Sequence, residues 1–259
     1  QEAADAIHGI LVDGRFGAAG AEVLLEERLF GTEVSVLAFC DGTDFSIMPA
    51  AQDHKRLLDG DEGPNTGGMG AFHPSPIAED SLLADVGRDV IAPTLAALAA
   101  EGRPYKGVLY AGMMLTADGP KVIEFNCRFG DPETQVVLPL LTSDLLDAFE
   151  ACVSGTLAAN QPTWADAAAA TVVMASAGYP VSSAAPAAIS GLANAATLGT
   201  TIFHAGTTTA GDDIFATGGR VLAVTAVRPT LSEAAEAAHA GVDAITFEGA
   251  QRRTDIARA

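Results

Sequence analysis

Lys121-Val122-Ile123-Glu124-Phe125-Asn126-Cys127-Arg128 alternates polar and apolar residues. A strand shows its side chains on opposite faces with a period of two. The stretch therefore predicts a strand with Glu124, Asn126 and Arg128 on one face, and with Ile123, Phe125 and Cys127 buried on the other. A carboxylate and an amide oxygen two residues apart on a rigid strand can hold a hard cation such as Mg²⁺, which takes oxygen ligands and shares its shell with phosphate and water. Arg128 beside them could hold a phosphate. The same spacing also suits an ordinary half-exposed strand, so the alternation alone leaves both readings open. Upstream, Gly107 to Thr116 reads as a partner strand joined through Ala117-Asp118-Gly119-Pro120, a hairpin signal. Downstream, Arg128 to Thr134 reads as a loop.

Working outward, Ala51 to Pro76 loses all periodicity in Gly, Pro, Asn, Asp and His, and reads as one long loop. It contains Gly63-Pro64-Asn65-Thr66-Gly67-Gly68-Met69-Gly70, four glycines in eight residues, whose backbone N–H groups can turn toward an anion. It lacks the Gly-Lys-Ser/Thr of a P-loop, and a flexible surface loop reads equally well. Gln52-Asp53-His54-Lys55-Arg56 adds three potential cations to the same loop. Before it, Glu22 to Leu29, Glu33 to Phe39 and Phe45 to Pro49 read as a strand meander. After it, Asp80 to Ala100 reads as helix with a kink or break at Pro93, and Gln135 to Ser154 as mostly helix, with Ser143 or Asp144 capping its second half. The composition shifts between Leu157 and Ala170. Two domains are expected, 1–160 and 168–259, the second β-rich with strands at Thr171 to Ala177, Thr201 to Ala205 and Arg220 to Val227. Its single helix would run from Leu231 to Ile245, begun by Thr230 or Ser232. His8, His204 and His239 stand alone and read as satisfied structural residues.

A chain of 259 residues, 49% hydrophobic and 18% charged, can bury a sizeable core. Its net charge of -19 repels phosphate backbones and argues against nucleic acid as a partner. No apolar run reaches the roughly 18 residues needed to span a bilayer, so no membrane role is expected. Cys40, Cys127 and Cys152 are odd in number and in no paired spacing, against a disulfide framework or zinc cluster and in favour of a reducing cytoplasm. Gln1 to Ile10 lacks the features of a signal peptide, and the chain reads as truncated at its start.

Together, Ala51 to Arg56, Gly63 to Ala71 and Val122 to Thr134 closely resemble one family, phosphoribosylamine–glycine ligase (glycinamide ribonucleotide synthetase). Leu25-Glu26-Glu27, Phe203 to Thr207 and Gly218 to Leu222 match in order and spacing. The resemblance implies an α+β, ATP-grasp fold followed by a small β-rich domain. It implies ATP and Mg²⁺ or Mn²⁺ as cofactors, and glycine and 5-phosphoribosylamine as substrates of a monomer. The glycine carboxylate would take the γ-phosphoryl group to give glycyl phosphate, and the amine would then displace phosphate. By the same resemblance, Glu124 and Asn126 hold the metal, while Arg128, Asp131 and Glu133 serve catalysis. Glu26, Glu27, Leu29 and Glu33 bind ATP. Asp53, His54, Lys55, Asn65, Thr66, Gly67, Gly68, Met69 and Gly70 border the substrates. The family's N-terminal domain and its phosphate-covering lysine loop have no counterpart here, so a chain inactive alone is expected. A noncatalytic nucleotide-binding module descended from such a ligase is the alternative.

Overall fold

The computed structural model describes residues 2–182 and 184–258. The chain forms two units, Gln1–Phe30 and Gly31–Ala259.

The first unit holds helix α1 (Glu2–Leu11) and a 3₁₀ turn at Gly17–Gly20. The strand expected over Glu22 to Leu29 does not form. A strand needs a neighbour to take its N–H and C=O groups; this segment has no ladder partner among the described residues, and Leu24 and Leu25 stand 79% and 72% exposed.

The second unit runs β1 (Thr32–Asp41), β2 (Phe45–Ile47), β3 (Gln52–Asp53), β4 (Arg56–Leu58), β5 (Glu62–Asn65), β6 (Gly70–His73), α2 (Asp80–Val86), α3 (Ala92–Ala100), β7 (Lys106–Thr116) and β8 (Gly119–Asn126). There follow α4 (Thr134–Val137), α5 (Leu145–Ser154), β9 (Ala168–Ala175), β10 (Ala187–Ala188), α6 (Leu192–Thr197), β11 (Thr201–His204), β12 (Thr207–Ala210), β13 (Asp213–Ala216), β14 (Arg220–Arg228) and α7 (Leu231–Asp243).

Two antiparallel sheets organise it. The first has the order β2-β1-β7-β8. Its central strand β1 is buried on both faces, which is why Val34 to Cys40 is almost wholly apolar. Val34, Val36, Ala38 and Cys40 pack with Val86, Ile91 and Leu95, whereas Leu37 and Phe39 pack with Ala148, Ala151, Cys152 and Leu157. The second has the order β11-β14-β9-β6-β3, with α7 across its core. It takes strands from both sides of the 160–168 boundary: Gly70, Ala71, Phe72 and His73 pair with Val172, Thr171, Ala170 and Ala169. Gly70 is required there, since a Cβ would lie 2.7 Å from the Thr171 carbonyl oxygen. Two small sheets, β10-β13-β12 and β4-β5, complete the unit.

Several expectations are corrected. Ala51 to Pro76 is not one loop but carries β3 to β6. Asp80 to Ala100 does not break at Pro93; a π turn at Gly87–Ile91 precedes it, and the proline, which lacks an N–H, falls in the first turn of α3. Gln135 to Ser154 divides at Leu138–Leu140, with Asp144 capping α5 through the Leu146 N–H at 2.8 Å. The C-terminal part has two helices rather than one: Gly191 in the left-handed conformation starts the short α6, and Thr230 with Glu233 forms a capping box on α7. Ile123, Phe125 and Cys127 are exposed rather than buried. β8 is an edge strand, and a bulge at Ile123, which has no partner between Gly112 and Met113 of β7, disturbs the alternation. No helix among the described residues is long and apolar enough to cross a membrane.

Candidate functional site

The hairpin β7/β8 delivers Glu124 and Asn126 to one place: the Asn126 Nδ2 donates to Glu124 Oε1 at 3.0 Å. Arg128, just past the strand, donates to the Phe129 carbonyl at 2.8 Å. These three side chains line a cleft of about 180 Å³ together with Asp53, Lys55, Thr66, Gly67, Tyr110, Gly130, Asp131 and Glu133. The cleft therefore gathers residues from β3, β7, β8, the glycine loop and the 128–133 loop. No group of three or more His, Cys, Asp or Glu side chains arranged for a metal occurs among the described residues. Mg²⁺ beside a nucleotide needs only one or two protein ligands, because phosphates and water complete its shell. Glu124 and Asn126, a carboxylate and an amide side by side, supply enough oxygen donors for that requirement.

Carboxylates crowd this cleft and the one adjoining it, and each has different partners. Glu133, 4% exposed, accepts from Ser35 Oγ at 3.0 Å and from Tyr110 OH at 2.9 Å. Glu33 pairs with the Lys55 ammonium. Asp131 accepts from Gln135 Nε2 at 2.9 Å and meets Arg220 Nη1 at 3.2 Å. Asp53 stands apart: its Oδ1 is buried and has no hydrogen-bond partner. Burial above all, and then the charges of Glu133 and Glu33, push the Asp53 carboxyl up to about 7 against the pull of Lys55. Lys55 is raised despite its burial, by Asp53, Glu33 and Glu133.

A second cleft of about 370 Å³ adjoins, lined by Thr32, Glu33, Asp53, His54, Lys55, Asp61 and Asn65 among others. Asp53 and Lys55 belong to both. His54 lies against Phe72, ring centroids 5.7 Å apart, with Nδ1 3.5 Å from Asp61 Oδ1. Burial, and then the charge of Arg253, lower its pKa.

The glycine loop is held by residues far away in the sequence. Arg220 Nη1 donates to the Gly67 carbonyl at 2.7 Å and to the Asp131 carbonyl at 2.8 Å, and the Gly67 N–H donates to Tyr179 OH at 2.9 Å. Thr66 Oγ1 accepts from the Gly68 N–H at 3.0 Å. Gly68 adopts φ 110°, and a Cβ there would collide with Pro132. Gly68→Ala is accordingly expected to cost about 2 kcal/mol, read as a lowered midpoint in denaturant; an unchanged midpoint would show that the loop is not held as described.

The structure brings Asp53, Lys55, Thr66, Gly67, Glu124, Asn126, Arg128, Asp131 and Glu133 to one cleft, and Glu33, His54 and Asn65 to its neighbour. It keeps Met69 out: this side chain is fully buried, and its backbone bridges His54 and Val173. Gly68 and Gly70 are likewise buried. Glu26 and Glu27 are exposed and Leu29 half-buried in the first unit. Sequence reasoning assigned no role to Ser35, Tyr110, Tyr179 or Arg220. Arg220 sat inside a noticed string, Gly218 to Leu222, but nothing local marks an arginine that reaches across to another segment. His204, expected to be purely structural, lines a wider cavity of about 710 Å³ with Arg128, Phe129, Phe203 and Arg220.

Residues 1–134 match the family model "Phosphoribosylglycinamide synthetase, ATP-grasp (A) domain", and residues 169–259 the model of the corresponding C domain. The chain is 52% identical over 257 residues to the trifunctional purine biosynthetic protein adenosine-3 of Gallus gallus, covering 99% of this chain and 26% of that one. It is 48% identical over 256 residues to the phosphoribosylamine–glycine ligase of Caulobacter vibrioides, covering 98% and 60%. The crystal structure of phosphoribosylamine–glycine ligase from Thermotoga maritima superposes with a TM-score of 0.80 at 34% identity, over 89% of this chain and 56% of that one. The biotin carboxylase domain of a thermophilic 2-oxoglutarate carboxylase shares the fold at 11% identity, TM-score 0.60, over 96% and 54%. The chain thus spans between a quarter and three fifths of the curated relatives named here.

Proposed function

The chain belongs to the phosphoribosylglycinamide synthetase family, and from that premise we propose that it forms the part of an ATP-dependent ligase that joins glycine to 5-phosphoribosylamine. The observation that carries the reading is the pairing of Glu124 with Asn126 at 3.0 Å in a cleft shared with Arg128 and Lys55. A carboxylate and an amide in a cleft that also holds two cations suit a polyphosphate and its metal, the amide oxygen being free to join the carboxylate on the ion. The retained pair favours this over a noncatalytic module.

In this reading Glu124 and Asn126 hold Mg²⁺ or Mn²⁺. When bound, the ion neutralises phosphoryl charge. Arg128 and Lys55 add positive charge where the phosphoryl group is transferred, and Glu33 keeps Lys55 aimed. Glu33 would also meet the ribose hydroxyls, and the family resemblance assigns Glu26, Glu27 and Leu29 to adenine. Backbone groups of Asn65, Thr66 and Gly67 face the acceptor carboxylate, with Gly68, Met69 and Gly70 fixing the loop from behind. Asp131, tied to Arg220, positions the loop that carries Arg128. Chemistry of this type relies on positioning and charge rather than on a protein nucleophile. The proposed division at 160–168 falls between the two family-model matches, 1–134 and 169–259. A cytoplasmic monomer fits the pathway and the charge.

Calorimetric titration of the 259-residue chain with ATP tests this. Binding is expected to depend on Mg²⁺, and Asn126→Ala to weaken it about 10-fold or more. Equal affinity with and without the metal would refute the site.

A further inference from the structure

We propose that Asp53 is the general base of the second half-reaction, accepting the proton that the amine sheds as it bonds to the acyl carbon. The inference rests on the ligase reading above and adds a role to one residue of that site.

The step requires a base. The amine lone pair attacks the carbonyl carbon of the acyl phosphate, the C–N bond forms, the C–O bond to phosphorus breaks, and phosphate leaves with that electron pair. The nitrogen then carries one proton too many for an amide, and it must go to an acceptor within reach. Six carboxylates border the two clefts, and five are engaged. Glu124 is held with Asn126, Glu33 with Lys55, Asp61 with Arg253, Asp131 with Gln135 and Arg220, and Glu133 with Ser35 and Tyr110. Asp53 alone of these six has a buried oxygen, Oδ1, with no partner. It is also the one carboxylate that lines both clefts, so a nucleophile entering by either meets it.

Its backbone is fixed. β3 pairs with β6 through Gln52 with Phe72 and Asp53 with Ala71, at the edge of the five-stranded sheet. A base on a strand keeps its position better than one on a loop. The groups that set its proton affinity are Glu133, Glu33 and Lys55, with Tyr110 beyond Glu133. Burial and the two glutamates raise the carboxyl to about 7, so near neutral pH it is ionised often enough to accept a proton and basic enough to hold one. Glu33 and Glu133 thus tune Asp53 while serving Lys55 and Tyr110.

The same raised value has a sign that can be checked without turnover. The free carboxyl titrates at 3.8 and the folded one at about 7. Between these values the folded chain keeps a proton that the unfolded chain has lost, so the stability tied to this group falls as pH rises through the window. Asp53→Asn removes that dependence. Its advantage in melting temperature over the parent chain is expected to grow from pH 5 to pH 8.

The decisive experiment places this chain in the Caulobacter vibrioides ligase in exchange for the matching residues, and follows the two half-reactions separately. Hydroxylamine traps the acyl phosphate as glycine hydroxamate and releases its own proton to solvent. With Asp53→Asn, amide formation is expected to fall about 100-fold relative to hydroxamate formation in the same variant and to lose its rise with pH through about 7. Asp53→Glu, which keeps a carboxyl, should retain a pH step. Loss of both half-reactions together in the two variants, or unchanged amide formation in Asp53→Asn, would overturn the proposal. Absence of hydroxamate in the parent would overturn the ligase reading itself.

Discussion

Glu124→Ala, introduced into the same hybrid ligase, is expected to lower kcat for ATP-dependent ligation by about 10³-fold, with little change in thermal stability. The size follows from what the carboxylate does in the proposed site. It supplies the one formal negative charge of the metal pair, and a metal that clamps phosphates contributes several kcal/mol to the transition state, each 1.36 kcal/mol being a factor of ten in rate. Asn126 alone offers a neutral oxygen. The small effect on stability follows from surroundings: Glu124 is exposed, on an edge strand, and its hydrogen bond to Asn126 is a surface contact. Substitutions at such positions stay within about 0.5 kcal/mol. Steady-state kinetics with a melting curve on the same preparation decides it. A variant that retains a tenth of the parent rate would remove Glu124 from the metal site.

Arg253→Met should be the most destabilising single change at a charged residue, by about 3 kcal/mol at neutral pH. Arg253 is 1% exposed. Its guanidinium donates to Asp255 Oδ1 at 2.7 Å and Oδ2 at 2.6 Å, to Asp61 Oδ1 at 2.7 Å and to the Arg56 carbonyl at 3.2 Å. Around it, the Thr254 N–H donates to Asp59 Oδ1 and the Gly60 N–H to Asp255 Oδ2, both at 2.8 Å. The group fastens the last residues of the chain to the 56–61 segment behind His54. Methionine keeps much of the volume, so the loss is one of charge and hydrogen bonds. Breaking a buried pair costs roughly 3–5 kcal/mol; the lower end applies because Asp61 is largely exposed and screened.

The pH dependence is fixed in sign. Hydrogen bonds from Arg253 hold Asp61 below the ordinary carboxylate value, and at Asp255 the hydrogen bonds from Arg253 and Gly60 outweigh the raising effect of burial. Stability from a depressed carboxyl is present above its unfolded value near 3.8 and is lost as pH falls through the folded value. The difference between parent and variant should therefore shrink in denaturant titrations below pH 4. A difference that is the same at pH 3 and pH 7 would assign the cost to packing instead.

Much of this architecture could be read locally. The β7/β8 hairpin follows from Ala117-Asp118-Gly119-Pro120 and its flanks, the α7 start from the pair of candidates Thr230 and Ser232, and β9, β11 and β14 from short runs of β-branched and apolar residues. What escaped depends on partners distant in sequence. β3 and β6 are two and four residues long and exist because Gln52 meets Phe72 and Gly70 meets Val172; within the 51–76 segment they look like loop. Glu22 to Leu29 fails for the opposite reason: its apolar run Val23 to Leu25 looks like strand but meets no ladder partner among the described residues. That Glu124, Asn126 and Arg128 share one cleft was legible from their alternation along a strand and its end; their proposed roles came from the family resemblance. The state of Asp53, the grip of Arg220 and the burial of Arg253 were not, since each is decided by what folds over it.

The five-stranded sheet has a consequence for how such proteins can be recombined. β9 and β14, which come from the C-terminal segment, stand beside β6 and β3, which carry the glycine loop and Asp53. Whichever ancestor contributes β9 also decides, two strands away, where the carboxylate of Asp53 points. Exchanging the C-terminal portion between relatives is therefore not the swap of an accessory module but an indirect edit of the proposed reaction centre, and it is tolerated only where the backbone opposite Gly70 keeps its close approach, the Thr171 carbonyl lying 2.7 Å from where a Cβ would stand.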